Sequence, residues 1–212
     1  MSVRLNPRIS TNGLIMALDA GNSKSYPGSG TTWYDISGNG YNATLYNSPT
    51  FSNGKFTFNG TNSYAAVTSL NLTSGTYTII GAARYSGATT GRIITSYANN
   101  WLMGHWNTSP GNYYAEGWVV NSFGVISTDT IWRIYAATGN TYTDTWEFYM
   151  NGVLNTSNNG GSAGPNGISI GCQGGNSEFS TGDCAFVYAY NRVLTAEEIL
   201  NSYNALRGRF NI

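Results

Sequence analysis

Apolar and polar residues alternate along this chain in short runs with a period of two, separated by clusters rich in Gly, Asn and Ser. Strand-like runs fall at 13–19, 43–46, 55–58, 64–68, 76–85, 91–97, 101–106, 113–121, 130–138, 145–150, 168–173 and 183–191. Short strands at regular spacing with turn signals between them predict an all-β sandwich or barrel. In 132–136, Trp132, Ile134 and Ala136 fall on one face and Arg133 and Tyr135 on the other. Phe148 and Met150 likewise point one way, and Asn151-Gly152 directly after them is a type I′ hairpin signal. The stretch 20–40 reads as loop, because Tyr26-Pro27-Gly28, Ser29-Gly30 and Ser37-Gly38-Asn39-Gly40 supply the backbone angles that turns need. One helix is predicted near the end. Thr195-Ala196-Glu197-Glu198 is a capping box, Ile199, Tyr203 and Leu206 then share one face, and Gly208 offers a stop. Residues 1–12 are polar and irregular, and an N-terminal arm or an edge strand on the sandwich fits them equally. Residues 13–212 read as one domain, with no internal repeat.

Composition supports this pattern. The 212 residues include 27 Gly and are 14% aromatic, with 16 Tyr and 6 Trp. Charged residues make up only 9%, against about 25% in an ordinary soluble domain. Ten basic residues balance ten acidic ones, and Arg192, Arg207, Arg209 and Lys55 are scattered along the sequence. Electrostatics therefore recruit neither nucleic acid nor an acidic membrane surface. A surface so poor in charge repels its own copies weakly, which points to self-association or life in an assembly. No run approaches the length of a membrane span, and the start lacks the apolar core of a signal peptide. The expectation is a protein made in a cytoplasm without export.

Cys172 and Cys184 flank a Gly/Asn/Ser stretch as two strands flank a hairpin loop, so a bridge and two buried thiols both fit. A zinc site is not expected, since His105 is the only histidine and no C-x-x-C occurs.

Several strings resemble the laminin-G-like (LamG) version of the concanavalin A-like jelly roll. They are Gly13-Leu14-Ile15-Met16-Ala17-Leu18-Asp19-Ala20, Trp33-Tyr34-Asp35-Ile36-Ser37-Gly38-Asn39-Gly40 with Asn42-Ala43-Thr44-Leu45, and Phe56-Thr57-Phe58-Asn59-Gly60-Thr61-Asn62-Ser63-Tyr64. Phe148-Tyr149-Met150-Asn151-Gly152 is similar to a family hairpin, and Val187-Tyr188-Ala189-Tyr190-Asn191-Arg192-Val193-Leu194-Thr195-Ala196-Glu197-Glu198-Ile199 to the family's final strand and helix. The resemblance implies a two-sheet antiparallel sandwich with one short C-terminal helix. The segment from Trp101 to Trp118 and the tail 204–210 resemble the version carried by structural proteins of tailed bacteriophages, cyanophages especially. Departures matter too. The family's Asp-rich turn is Asn59-Gly60-Thr61-Asn62-Ser63 here, and Ala185-Phe186 replaces an acidic pair. Only Asp35 keeps a family-like position for calcium, which wants several hard oxygens, so no cofactor is expected.

Catalysis finds little support in the residues. Glycoside hydrolases with this fold need two carboxylates about 5–9.5 Å apart. The nearest pairs, Asp144 with Glu147 and Glu197 with Glu198, lie on opposite strand faces and in the capping box respectively. No G-x-S-x-G elbow accompanies His105, and no G-x-x-x-x-G-K-[ST] loop exists. Binding is better supported. Trp101, His105, Trp106, Tyr113, Tyr114 and Trp118 surround a loop expected at 107–112, and alternation puts Tyr114, Glu116 and Trp118 on one strand face. These aromatics suit a sugar-stacking platform, a protein interface or the sandwich core. The expectation is a non-catalytic virion protein: a capsid decoration, fibre or adhesin subunit with other virion proteins and host-surface glycans as partners. A free carbohydrate-binding module is the alternative, and a glycoside hydrolase the third reading.

Overall fold

The computed structural model describes residues 7–122 and 130–212. Among them sixteen strands form two antiparallel sheets of eight. In sheet A the order is β14 (Val153–Asn158), β13 (Thr145–Met150), β12 (Arg133–Asn140), β7 (Thr76–Thr90), β16 (Ser180–Tyr190), β5 (Lys55–Asn59) and β4 (Thr50–Ser52), while β1 (Leu14–Asp19) pairs with β16. Sheet B runs β11 (Trp118–Val120), β10 (Ser109–Ala115), β9 (Trp101–Trp106), β8 (Ile94–Thr95), β15 (Asn166–Ile170), β6 (Tyr64–Asn71), β3 (Ala43–Tyr46) and β2 (Thr32–Trp33). Helix α1 (Ala196–Leu206) and a 3₁₀ turn at Arg207–Arg209 follow. This is the concanavalin A-like jelly roll with its C-terminal helix.

The core between the sheets is aromatic. Trp33, Phe56, Phe58, Tyr77, Trp101, Tyr113, Tyr135, Trp146 and Phe148 are fully buried in it, each contributing on the order of 2 kcal/mol by leaving water. Alternation decides which side chains enter. On β12, Tyr135 and Ala137 face this core, whereas Ile134 and Ala136 face outward with Trp132. That outward face of sheet A is also covered. Ile80, Phe186, Tyr188 and Tyr190 join Ile199 and Leu206 of α1 in a second cluster, with Tyr203 and Phe210 packed against it. Strand β16 needs both layers, because its residues are buried on both faces almost throughout.

The hairpin at Asn151-Gly152 forms with both residues at positive φ, 52° and 78°. Thr195 caps α1 as expected, with Glu198 reaching back to the Thr195 amide. Gly208 does not end the helix; α1 ends at Leu206 and passes into the 3₁₀ turn. Three other expectations are corrected, and one further strand, β4, is found. The run 113–121 is two strands, because Glu116 adopts positive φ and turns the chain. Within 91–97 only Ile94–Thr95 joins a ladder. The stretch 20–40 contains β2, and the three-residue β4 precedes β5. Residues 1–6 lie outside the described residues. Residues 7–12 lie against the body: Ile9 packs on the second cluster, and Tyr190 donates to the Ser10 carbonyl at 3.0 Å.

Cys172 and Cys184 are buried free thiols. Strands β15 and β16 follow one another in sequence but belong to different sheets, so no hairpin brings the two cysteines face to face.

Candidate functional site

Strands β9, β10 and β11 form a meander at one edge of sheet B, and this meander carries the expected aromatic set. Its first turn is Asn107-Thr108, two residues at φ 47° and 69°, where a longer loop to 112 was expected. Its second is Glu116-Gly117, which makes Tyr114 and Trp118 cross-strand partners, not residues of one strand.

The meander sorts the six candidates by parity. Trp101, His105 and Tyr113 point between the sheets and are buried. They are core, which corrects their assignment to a binding surface. His105 sits between the rings of Tyr85 and Tyr135, 4.5 and 5.4 Å away edge-on. Trp101 donates its indole N–H to the Tyr77 hydroxyl at 2.8 Å. The Tyr77 and Tyr113 hydroxyls lie 2.6 Å apart, and Tyr113 donates to the Thr138 carbonyl at 3.0 Å. Burial pushes both phenols well above their ordinary range, so they stay protonated donors.

Trp106, Tyr114 and Trp118 point outward and meet. The Trp106 and Trp118 rings are 5.4 Å apart, and Tyr114 stands edge-on to Trp118 at 5.0 Å. Trp118 is the most open, with 36% of its surface exposed, unusual for the largest apolar side chain. A polar network backs these rings. Trp106 donates its indole N–H to Glu178 Oε1 at 3.0 Å, and the other Glu178 oxygen pairs with Arg92. Arg92 is buried and donates to Asn100 Oδ1 at 2.7 Å, while the Asn100 amide donates to Glu116 Oε1 at 2.7 Å. Burial lowers the pKa of Arg92, against the opposing pull of Glu178. Sequence reasoning missed Arg92, Asn100 and Glu178 and gave Glu116 no role. Glu178 lies 72 residues from Trp106 and meets it only through the sandwich.

The patch can offer a sugar two things: apolar ring faces for its C–H groups, and fixed amide and carboxylate groups for its hydroxyls. A register row links Trp118, Tyr114, Leu102, Thr95, Ser169, Ala66, Thr44 and Thr32 across all eight strands of sheet B. Seven strand spacings make that row about 34 Å wide. It is not one open groove. Thr95 and Ser169 are fully buried, Ser169 donates to the Cys172 carbonyl at 2.7 Å, and Gly174 lies close to the Tyr97 carbonyl. At the opposite edge Tyr46 and Tyr64 stack at 4.5 Å. The surface therefore ends in two separate aromatic patches with a roofed middle.

Asp35, the residue offered for calcium, does not fit a metal ligand. Its Oδ1 accepts from the Ala17 and Ser37 amides at 2.8 Å each, and its Oδ2 accepts from the Ser37 hydroxyl at 2.8 Å and the Tyr41 amide at 3.0 Å. Its lone pairs hold the loop onto β1. Asn59 does similar work, its Oδ1 accepting from the amides of Thr61, Asn62 and Ser63. Among the described residues no three His, Cys, Asp or Glu side chains gather as a metal site.

A family model described as the concanavalin A-like lectin/glucanases superfamily matches residues 59–200. No curated protein matches the sequence significantly. Similar solved structures include the sialidase of Trypanosoma rangeli in complex with 2,3-difluoro-KDN, at TM-score 0.67 and 13% identity, covering 100% of this chain and 37% of that one. The binding domain of Paraclostridial Mosquitocidal Protein 1 aligns at TM-score 0.65 and 16% identity over 90% of this chain and 51% of that one. The receptor-binding domain of botulinum neurotoxin mosaic serotype C/D aligns at 0.60 and 16%, over 92% and 51%. The chain thus spans between one third and about half the length of these structures.

Proposed function

Because this chain belongs to the concanavalin A-like lectin/glucanases superfamily, we propose that it is a non-catalytic glycan-binding module, displayed on the particle of a tailed bacteriophage. The observation that carries the binding reading is the outward cluster of Trp118, Trp106 and Tyr114 on its backing of Glu178, Arg92, Asn100 and Glu116. An exposed indole and a half-buried one held at fixed angles lose little entropy on stacking a sugar, so a shallow site suffices. The similar structures are in keeping with this, since they include two binding domains and a sialidase in complex with sialic acid. Display on a particle rests on the resemblance of 101–118 and 204–210 to tailed-phage structural proteins. The partners in that reading are other virion proteins, copies of itself and host-surface glycans. Val153, Leu154 and Leu200 are exposed large hydrophobics near edge strand β14, which supports self-association there.

A glycan array with the purified chain tests the binding reading. Trp118→Ala is expected to weaken binding about tenfold, the loss of one aromatic stack of about 1.4 kcal/mol, while the unfolding midpoint stays put. Binding indifferent to Trp118 would remove the site. Mass spectrometry of purified particles tests the display reading, and absence of the chain there would leave only the free module.

Glu116 and Glu178 reach one aromatic surface, and this favours hydrolysis as a second reading. Against it, both Glu178 oxygens are engaged by Trp106 and Arg92, where a hydrolase needs one carboxylate to donate a proton and another to attack or activate water. Incubation with β-glucans decides: new reducing ends, abolished in Glu178→Gln, would replace the binding reading.

A further inference from the structure

On the outer face of sheet A a pocket of about 510 Å³ is lined by Gly21, Asn53, Gly54, Lys55, Trp132, Arg209 and Phe210. Its lining contains two cations and two aromatic rings and no carboxylate. Lys55 and Arg209, scattered in the sequence, are brought together by the fold, and Arg84 shares an acid with Lys55.

Each cation is held by an acid that is not part of the lining. Buried Asp183 takes Lys55 Nζ at 2.9 Å and Arg84 Nε at 2.7 Å. Asp19 takes the two terminal nitrogens of Arg209 at 2.9 and 2.8 Å. Three cations thus face two carboxylates, leaving one positive charge on a chain whose total is zero. Donors are also left over. Lys55 Nζ uses two of its N–H groups, on Asp183 and Thr57, and a guanidinium carries more N–H groups than Asp19 can accept. Small residues make the seat: a Cβ on Gly21 would come within 2.3 Å of an Arg209 terminal nitrogen. The rings are fixed too. Trp132 packs on Phe210 at 4.7 Å with the Arg84 guanidinium 5.0 Å from its centroid, and Arg209 lies 5.5 Å from the Phe210 centroid.

We propose that this pocket is a second binding site, for a carboxylate-bearing sugar ring, independent of the Trp118 patch. A single excess charge with unsaturated donors suits one carboxylate better than a polyanion. Trp132 and Phe210 receive the apolar face of the ring, and the exposed Asn53 amide at the rim reaches a hydroxyl.

Calorimetric titration of the purified full chain with glucuronic acid and N-acetylneuraminic acid tests this, with neutral hexoses and inorganic sulfate as further ligands. The expected result is saturable binding of the acidic sugars, weaker at higher salt. Asn53→Asp is expected to lower it about tenfold by placing a carboxylate at the rim. The position is exposed at φ 49°, which Asp tolerates, so the unfolding midpoint should not move. Lys55→Gln should give the same loss, and Trp118→Ala none, which separates failure here from failure of the other site. In the Trp118→Ala chain, equal binding of neutral hexoses, displacement by equimolar sulfate, no binding of acidic sugars, or indifference to a further Asn53→Asp would each overturn the proposal.

Discussion

The hydroxyl of Tyr113 is the residue-scale device on which the inter-sheet core depends. It accepts from Tyr77 and donates to the Thr138 carbonyl, so a relay from Trp101 to Thr138 crosses the apolar interior with its donors satisfied. Replacing Tyr113 by Phe keeps the ring but strands one buried donor, the Tyr77 hydroxyl proton, and removes the second partner of the Thr138 oxygen, which stays in the β12 ladders. A buried donor without a partner costs about 1–3 kcal/mol, so urea unfolding of Tyr113→Phe should show a loss of at least 1 kcal/mol with an unchanged slope. Tyr114→Phe, one position along and facing outward, should lose less than about 0.5 kcal/mol. The contrast between these neighbours also explains what the sequence could convey about the site. Trp101, His105 and Tyr113 were grouped with Trp106, Tyr114 and Trp118 because aromatics occur at both parities of β9 and β10, so alternation separates two faces without saying which is wet. The backing residues were beyond reach for another reason. Nothing local to Glu178 points to Trp106; the meeting is made by the stacking of β15, β8 and β9 in sheet B.

At the scale of elements, signals within a few residues survive folding unchanged. The capping box of α1 and the Asn151-Gly152 turn were legible because each is complete in its own four or two residues. The two-residue β2 and three-residue β4 were not, since so short a strand exists only through its partner. Glu198 serves two elements at once. It caps the Thr195 amide and pairs with Arg192, which in turn donates to the Asn12 carbonyl and the Ser10 hydroxyl. Hydrogen bonds from Arg192 first, with the Thr195 amide and the Ser10 hydroxyl adding to them, hold its carboxyl down to about 2. The sign follows from that depression. The folded state binds the proton more weakly than the unfolded one, whose Glu titrates near 4.3. The stabilisation is therefore whole above about pH 5 and lost as pH falls from there towards 2. Glu198→Gln should remove this part of the acid dependence, and an unfolding midpoint that falls equally steeply in both proteins between pH 5 and 2.5 would refute the assignment. The hairpin offers a steric counterpart. A Cβ on Gly152 would meet Tyr203 and Leu200 of α1 at 3.0–3.1 Å from a backbone at φ 78°. Gly152→Ala should thus cost about 1–2 kcal/mol in urea unfolding, from the left-handed backbone together with the helix contact.

In the whole molecule, order along the chain and order in space part company. Strands β15 and β16 are consecutive, and read alone they look like the arms of a hairpin closing over 173–179. The sandwich sends them to opposite sheets instead, because β15 pairs with β6 and β8 while β16 fills the centre of sheet A between β7 and the successive partners β5 and β1. Such long-range choices are settled by which pairing buries the most surface, and no turn residue records them. The cysteines turn this into a measurement. Cys184 lies beside Phe56 and Ala83 in sheet A, and Cys172 follows β15 in sheet B with its sulfur 3.6 Å from the Ser169 hydroxyl. Burial pushes both thiols up, so neither carries the thiolate that attacks a disulfide reagent at neutral pH. The native chain should therefore react with Ellman's reagent only on the timescale of its own unfolding and release two equivalents once denatured. Its intact mass should be that of the fully reduced chain, and reductant should leave the melting temperature where it was. Rapid native labelling would mean that β16, or the segment after β15, opens locally without global unfolding. A mass two hydrogens lighter, with a melting point that drops on reduction, would mean that β15 and β16 face each other after all, and the two-sheet assignment of those strands would fall.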